Sequence, residues 1–242
     1  MNRVITLVAA ILLAPFSAGA AVIIADSTFN PAEWTVSVVG GAGGATQSVL
    51  QVATGGNPGS YRQMAHNLPG PSSIVESHVF NAVTYDPSTQ GAIASIDYSE
   101  DRIELSPPFA GAAIGGYFLL QQGGGTWRNN TDLSFSNLSW ATLSLTGLIA
   151  SNFAVVAGAA GLPDFSSSGS PITFGVLRSN SNSNASGVYT TTNGLDNWQV
   201  TVNQVVPAPA AVWLLGTGCL GLLARRWTGS DQGRQRTVGV ST

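Results

Sequence analysis

Short runs in which apolar and polar residues alternate fill the chain from residue 21 to residue 204. In the clearest run, residues 198–203, each apolar side chain is followed by a polar one, the pattern of a β-strand with one buried face. Glycine, proline, asparagine and serine bound these runs, as they do where strands are joined by turns. No comparable stretch has the 3.6-residue period of an amphipathic helix, so the apolar residues are expected to be buried between β-sheets.

About ten such strands predict an all-β fold, an antiparallel β-sandwich with jelly-roll topology. A closed barrel is the alternative. A parallel β-helix is disfavoured because no repeat of fixed period occurs. The predicted strands are residues 34–39, 48–52, 75–85, 91–98, 103–105, 116–121, 142–146, 172–177 and 198–203.

Two polar segments of low complexity interrupt the alternation. They are SSSGS at 166–170 and RSNSNSNASG at 178–187, and both predict surface loops. Two tryptophans, Trp140 and Trp198, are interpreted as core residues.

The central region is acidic. Between Ala21 and Gln204 four arginines stand against eleven aspartates and glutamates, which gives a net charge of −7, and the chain contains no lysine. A domain of this charge repels phosphates, so nucleic acid is not expected as a partner. The single cysteine, Cys219, lies outside this region, which therefore has neither a disulfide nor a cysteine-based metal site.

The N-terminus has the order of a secretory signal peptide. Arg3 precedes an apolar run from Val4 to Leu13, and the small residues Ala18 and Ala20 precede Ala21, where signal peptidase is expected to cleave. The run is shorter than a membrane span. Export through the inner membrane is therefore predicted.

A second apolar segment, residues 210–224, lies near the C-terminus and carries no charge. At about 1.5 Å per residue it would form a helix of roughly 22 Å, shorter than the ~30 Å hydrocarbon core of a bilayer. Arg225 and Arg226 follow it and are expected to stay cytoplasmic. Pro207 and Pro209 precede it and favour an extended entry.

The segment VPAPAAVWLLGTGCLGLLARRW, residues 206–227, resembles a PEP-CTERM sorting signal, the tail that exosortase recognises in some Gram-negative bacteria. The resemblance implies a recognition motif, a transient inner-membrane helix and a basic end. The family has glutamate at the middle of its motif, where this chain has alanine, and most such tails end soon after the arginines. The implied parts are Val206, Pro207, Ala208 and Pro209 for the motif, residues 210–224 for the helix, and Arg225 and Arg226 for the basic end.

These features divide the chain into four parts: a signal peptide at 1–20, a β-sandwich domain at 21–204, a sorting signal at 205–227 and a polar tail at 228–242. Two other interpretations of the sorting signal stay open. It would also serve as a permanent single-pass anchor. Lipidation at Cys219 is disfavoured because lipidated cysteines follow N-terminal signals. Cys219 is more simply interpreted as a small apolar residue of the helix.

Two stretches, GAIASIDYSEDRIEL at 91–105 and FGVLRSNSNSNASGVYTTTNGLDNWQVTV at 174–202, resemble domains of the concanavalin A-like/laminin G superfamily in exported bacterial proteins. The resemblance covers residues 74–203 and implies a jelly-roll sandwich. It does not select an activity, because such sandwiches serve as lectins, adhesion modules and hydrolases.

A catalytic site is not predicted. Glycoside hydrolysis needs two carboxylates about 5–5.5 Å or 6.5–9.5 Å apart. On an extended strand Glu100, Arg102 and Glu104 share one face, with the two glutamates about 13 Å apart. Arg102 is therefore interpreted as the centre of a charge pair on the solvent face, with Asp101 pointing the other way. The two histidines, His66 and His78, fit no metal-binding motif, and no GxSxG elbow occurs.

A ligand-binding role is the better prediction for the domain, because sugar-binding sandwiches combine aromatic rings with aspartate and asparagine side chains. No cofactor is predicted. Calcium bound by Asp97, Glu100 or Asp101 has no supporting spacing. The candidate ligand-binding residues are Trp127, Asn129, Tyr189, Asp196 and Asn197.

Together these features predict an exported, non-catalytic protein of the cell surface or extracellular matrix of a Gram-negative bacterium. Its expected role is structural or adhesive, in exopolysaccharide or biofilm. The alternatives are a lectin-like carbohydrate-binding module and, third, an extracellular glycoside hydrolase. The expected partners are signal peptidase, an exosortase-type enzyme and extracellular polysaccharide, with a transient inner-membrane intermediate.

Overall fold

The structure is a computed structural model that describes residues 21–106, 114–158, 160–184 and 187–206. The predicted signal peptide at 1–20, and the predicted sorting signal from Pro207 onward, lie outside these residues. Within them, no helix is both long and apolar enough to cross a membrane.

The described residues form twelve β-strands, three short helical turns and their connections. One turn, Pro87–Gln90, is a single turn of α-helix, and the 3-10 turns are Pro31–Glu33 and Ala150–Asn152. The strands are β1 Ala21–Asp26, β2 Trp34–Ala42, β3 Thr46–Gly56, β4 Gly59–Pro69, β5 Ser72–Tyr85, β6 Ile93–Glu104, β7 Gly115–Gln122, β8 Gly125–Asn129, β9 Ala141–Leu148, β10 Phe153–Ala157, β11 Ile172–Asn182 and β12 Val188–Gln204.

The strands pair into two antiparallel sheets. Sheet A has the order β3-β4-β12-β6-β9, with β1 added along the second half of β12. Sheet B has the order β10-β8-β7-β11-β5-β2. Most connections cross from one sheet to the other, as in a jelly roll.

The two sheets pack face to face on one hydrophobic core. Tyr98 of sheet A stacks on Phe118 of sheet B with ring centroids 4.5 Å apart, and Trp198 of sheet A meets Trp34 of sheet B at 5.2 Å. Because both sheets supply the buried side chains, the antiparallel β-sandwich predicted from the alternation is confirmed.

The long strand β12 organises sheet A because it changes partner halfway along. Its first half pairs with β4 and its second half with β1, while β6 lies along its other side. Where β12 changes partner, its register with β6 shifts at a β-bulge, and Asn197 in this bulge has a left-handed backbone conformation with φ 46°. Leu195 before the bulge and Trp198 after it therefore both point into the core, where neither is exposed.

Every predicted strand overlaps a strand of the structure, but four strands and the first half of β12 were missed. β1, β4, β8 and β10 are the missed strands. The prediction of a surface loop at 178–187 is wrong for its first half, since residues 178–182 belong to β11. Their alternation was not recognised because the side chains that face inward, Arg178, Asn180 and Asn182, are polar.

Candidate functional site

An aromatic pair lies on the outer face of sheet A. Leu195 is in the core, so its neighbour Gly194 points to the opposite face. Above Gly194 lie the rings of Tyr61 and Trp140, edge to face, with centroids 5.5 Å apart. The interpretation of Trp140 as a core residue is therefore wrong: it is half-buried and packs on the outside of the sheet.

The absence of a side chain at position 194 makes room for this pair. A Cβ atom there would lie 2.8 Å from Cη2 of Trp140, closer than real Cβ atoms come to other atoms, and 3.1 Å from Cδ2 of Tyr61, which is tighter than most Cβ contacts. The Trp140 indole is fixed in direction as well, because its Nε1 donates to the carbonyl oxygen of Gly55 at 3.0 Å. The two rings thus form a preformed aromatic patch, in which Tyr61 is only 7% exposed and supports the half-buried Trp140 ring from below.

Two aspartates lie beside this patch, one on each of two neighbouring strands. Asp101 of β6 and Asp196 of β12 are cross-strand partners, and they are 5% and 0% exposed. Burial raises the pKa of Asp196, and the negative charge of Asp101 raises it further. Two such carboxylates need hydrogen-bond donors, and the surrounding amides supply them.

Asn57, in the turn between β3 and β4, joins the two carboxylates. Its backbone N–H donates to Asp196 Oδ2 and its side-chain Nδ2 to Asp101 Oδ2, the latter at 3.1 Å. Asn197 completes the set from the β12 bulge: its N–H donates to Asp196 Oδ1 at 2.7 Å, and its Nδ2 to Asp101 Oδ2 at 2.6 Å. Gly55, which holds Trp140, lies near the end of β3, two residues before Asn57. The carboxylates that fix Asn57 therefore lie close to the support of the aromatic patch.

A shallow pocket of about 170 Å³ lies further along the same face, across β9, β6 and β12. Hydroxyl, amide and carboxylate groups line it. Asp97 accepts from the N–H of Gly147 at 2.7 Å and from Nδ2 of Asn203 at 3.0 Å, so both of its oxygens have partners. The polar side chains that line the pocket are Asp97, Ser99, Ser144, Thr146, Gln199 and Thr201.

We call this outer face of sheet A, from the Tyr61–Trp140 pair to the Thr201 pocket, the platform. It combines an aromatic surface with rows of hydroxyl and amide groups that both donate and accept hydrogen bonds. Such a surface fits a polyol with apolar ring faces. Its buried carboxylates position the surface and do not themselves reach a bound molecule.

A second group of ionisable side chains lies between the sheets, away from solvent. Glu76 of β5 contacts Nε2 of His66 at 2.7 Å and Nε2 of His78 at 2.9 Å, and none of the three side chains is exposed. Burial would raise the pKa of Glu76, but His78 and the hydrogen bonds from both imidazoles lower it to about 2. Burial lowers the pKa of His78, so it is neutral near pH 7.

The glutamates of β6 belong to the same interior group. Glu100 accepts from Nη2 of Arg178 at 2.5 Å and from the hydroxyl of Tyr98 at 2.8 Å. The interpretation of Glu100, Arg102 and Glu104 as a solvent-face charge pair is therefore wrong, although the three do share a face. That face is the interior one: the two glutamates are 0% and 2% exposed.

The five candidate ligand-binding residues are not brought together. Trp127 packs in the core, 4% exposed, and its Nε1 donates to the Gly161 carbonyl oxygen at 2.9 Å. Asn129 is fully buried, with its side-chain oxygen accepting from the N–H of Phe118. Neither presents its side chain to a ligand, since both side chains point from sheet B into the interior of the sandwich. Tyr189 lies near the start of β12, and its hydroxyl donates to Asn180 at 3.1 Å.

Asp196 and Asn197 are the two candidates that lie at the platform, and of these Asn197 is exposed. The three candidate calcium ligands do not meet. Asp97 and Asp101 lie on the outer face of sheet A, whereas Glu100 lies inside the sandwich. Within the described ranges no group of three or more His, Cys, Asp or Glu side chains has the geometry of a metal site.

No protein-family model matches this sequence, and no curated protein sequence does. Solved structures resemble it. One is the family 11 carbohydrate-binding module from Clostridium thermocellum in complex with a β-1,3-1,4-mixed-linked tetrasaccharide, with 12% identity, 79% of this chain and 100% of that chain covered, and a TM-score of 0.47. Another is the CBM22-1 xylan-binding domain from Paenibacillus barcinonensis Xyn10C, with 15% identity, 78% and 98% covered, and a TM-score of 0.38. A third is an exo-β-agarase, with 14% identity, 74% and 25% covered, and a TM-score of 0.42.

Sequence reasoning missed most of the platform. Tyr61 belongs to β4, a strand that was not predicted, and Asn57 to the turn before it. Two signals were available. Asn-Pro-Gly at 57–59 is a strong turn sequence, and Gly194 interrupts a strand pattern, which often marks a close approach of another group.

Proposed function

We propose that this protein is an exported, non-catalytic glycan-binding protein that holds polysaccharide on the platform. The observation that carries the proposal is the aromatic patch of Tyr61 and Trp140 beside hydroxyl and amide rows on an otherwise regular sheet face. An aromatic ring packs against the C–H face of a sugar, while neighbouring hydroxyl and amide groups hydrogen-bond its hydroxyls.

The carboxylates support binding rather than hydrolysis. Asp101 and Asp196 accept hydrogen bonds from Asn57 and Asn197, and they are nearly or fully buried. A general acid or nucleophile must contact the glycosidic bond, and a carboxylate so occupied does not. The glutamates in the interior are shielded from polysaccharide by the sheets themselves.

Substitution at Trp140 tests the proposal. The full-length chain and its Trp140→Ala variant are compared in affinity electrophoresis through gels that contain soluble polysaccharides. Retardation of the parent chain by at least one glycan, lost in Trp140→Ala, is the expected result. Tyr117→Ala is the matched control, since Tyr117 is a half-buried ring on the outer face of sheet B. Equal retardation of the parent chain and Trp140→Ala, or release of reducing sugar by the parent chain, contradicts the proposal.

Export and sorting complete the proposed function. Cleavage after Ala20 by signal peptidase releases domain 21–204 outside the inner membrane, with 205–227 as the sorting signal. An exosortase-type enzyme then processes Val206-Pro207-Ala208-Pro209 while residues 210–224 span the membrane transiently. The resemblance of this tail to PEP-CTERM signals supports the proposal. Glycan binding would then make the protein an adhesive component of the exopolysaccharide matrix at the cell surface.

Mass spectrometry of the exported protein tests the sorting step. The expected C-terminus lies near Pro209, so a mature protein that still carries residues 210–242 contradicts processing. An exported chain that begins at Met1 contradicts cleavage by signal peptidase.

A further inference from the structure

The charged side chains on the platform are all carboxylates. Among the described residues of sheet A, Asp97, Asp101 and Asp196 are the charged residues that point outward. Asp97 lines the pocket and is half-buried, and the other two lie just beneath the surface. Partly buried charges are screened less by salt than exposed ones, so they act on a molecule that docks above them.

The arginines of residues 21–206 all lie elsewhere. Arg62 and Arg178 are between the sheets, 2% and 0% exposed. Arg102 also turns inward, with its guanidinium 4.8 Å from the centre of the Phe135 ring. Arg128 lies on the outer face of sheet B, 4.0 Å over Tyr117. Since the chain has no lysine, no described cation of the domain faces the platform.

The aspartates are also engaged with the protein's own donors. Both oxygens of Asp97 accept hydrogen bonds, from Gly147 and Asn203. Asp101 Oδ1 accepts a hydrogen bond from the hydroxyl of Thr142. Asp101 Oδ2 accepts hydrogen bonds from the side-chain amides of Asn57 and Asn197. A divalent cation that bridged the platform to an anionic polymer would have to displace these donors.

We infer that the platform takes a neutral polysaccharide and rejects polymers that carry carboxylate or sulfate groups. This inference rests on the proposed glycan-binding function and adds the chemical class of the ligand. Like charges across an interface suppress the wrong partner more than they add affinity for the right one. The aspartates therefore select against uronates without contributing a bond to the neutral ligand.

A pair of polymers that differ only in charge tests the inference. The probes are a neutral soluble β-glucan that retards the full-length chain and the same glucan oxidised at C6 to the uronate. We expect at least about tenfold weaker binding of the oxidised polymer at 20 mM salt. The difference should narrow at 1 M salt, where the Debye length is only about 3 Å.

Charge variants report on the location of the effect. Ser144 is exposed in the platform pocket, so Ser144→Lys should strengthen binding of the oxidised polymer severalfold at low salt. Ser37 is exposed on the outer face of sheet B, and Ser37→Lys adds the same charge there without this effect. Asp97→Asn should reduce the difference in affinity between the neutral and the oxidised polymer.

The outcomes separate the inference from the proposed function. Equal or tighter binding of the oxidised polymer overturns the charge selection and leaves glycan binding intact. The same holds if Ser144→Lys and Ser37→Lys reduce the difference in affinity between the neutral and the oxidised polymer equally. A parent chain that binds neither neutral nor oxidised glycans overturns glycan binding, and the charge selection with it.

Discussion

The imidazole of His66 on sheet A lies 2.7 Å from the carboxylate of Glu76 on sheet B, and neither side chain has exposed surface. His78 contacts the same carboxylate oxygen at 2.9 Å. A polar link thus joins the two sheets where a sandwich ordinarily places apolar side chains. Arg62 extends the link, since its Nε lies 3.4 Å from Nδ1 of His78.

Removing the carboxylate should be costly. Glu76→Ala leaves Arg62 and two imidazoles in the interior without their negative partner, and a loss of about 3–5 kcal/mol in the free energy of unfolding is expected. Urea unfolding followed by tryptophan fluorescence measures it. Glu33→Ala, at a half-exposed position in a 3-10 turn, should change stability by less than about 0.5 kcal/mol. Similar losses for the two variants would show that the buried link is unimportant.

The depressed pKa of His78 predicts loss of stability on mild acidification. The folded pKa lies below the unfolded value of about 6.5 because burial disfavours the imidazolium more than Glu76 favours it, and the positive charges of Arg62 and Arg178 lower the pKa further. The unfolded chain therefore binds more protons below pH 6.5, and stability falls as the pH drops. One such group contributes a slope of at most about 1.4 kcal/mol per pH unit.

Unfolding midpoints at pH 7.5, 6.5 and 5.5 check this prediction. In His78→Gln the part of the slope due to His78 should disappear, whatever the stability of the variant at pH 7.5. A variant with the same slope as the parent chain between pH 6.5 and 5.5 would assign the acid lability to another group.

The raised pKa of Glu104 predicts the opposite trend, a loss of stability as the pH rises. Its pKa is raised by burial, and its cross-strand partner on β12 is Asn193. Glu104 Oε2 and Asn193 Oδ1 are both acceptors without a hydrogen-bond partner in the described part of the chain. The neutral acid can donate, so its contribution to stability is present below the unfolded pKa of about 4.3 and is lost as the pH rises through the folded pKa.

Glu104→Gln should keep that contribution at neutral pH, because the amide is uncharged and donates. We expect it to raise the free energy of unfolding at pH 8 by about 0.5–1.5 kcal/mol, with a smaller gain at pH 4.5. Urea unfolding at both pH values measures the two gains. A loss of stability at pH 8 would mean that the ionised carboxylate has a partner that the amide cannot replace.

The sequence predicts the fold where apolar side chains face inward and fails where polar ones do. At 198–203 the alternation follows burial, and the strand was found. At 178–182 the inward residues are arginine and asparagine, so the same geometry looked like a polar loop. The β6 glutamates show the same limit: strand periodicity gives their shared face, but only the position of sheet B decides that this face is the interior.

The platform was largely unpredictable for a different reason. Its aromatic pair joins Tyr61 and Trp140, which are 79 positions apart in the chain, above Gly194 of β12. No local sequence pattern indicates that two residues so far apart come into contact. Asp196 and Asn197 were identified together because they are adjacent in the sequence, whereas the sheet topology brings their partners Asn57 and Asp101 to them.

Gly194 provides the sharpest test of the platform. In Gly194→Ala the new methyl group would lie within about 3 Å of Trp140, Ile103 and Tyr61, so both rings must move off the sheet. Overpacking of this kind costs about 1–3 kcal/mol, and displaced rings should lose glycan retardation while the fold persists. Gly40→Ala is the matched control, because a Cβ there meets Val75 at an ordinary 3.5 Å on sheet B. A Gly194→Ala chain that binds glycan like the parent would show that the aromatic patch is not where the polysaccharide rests.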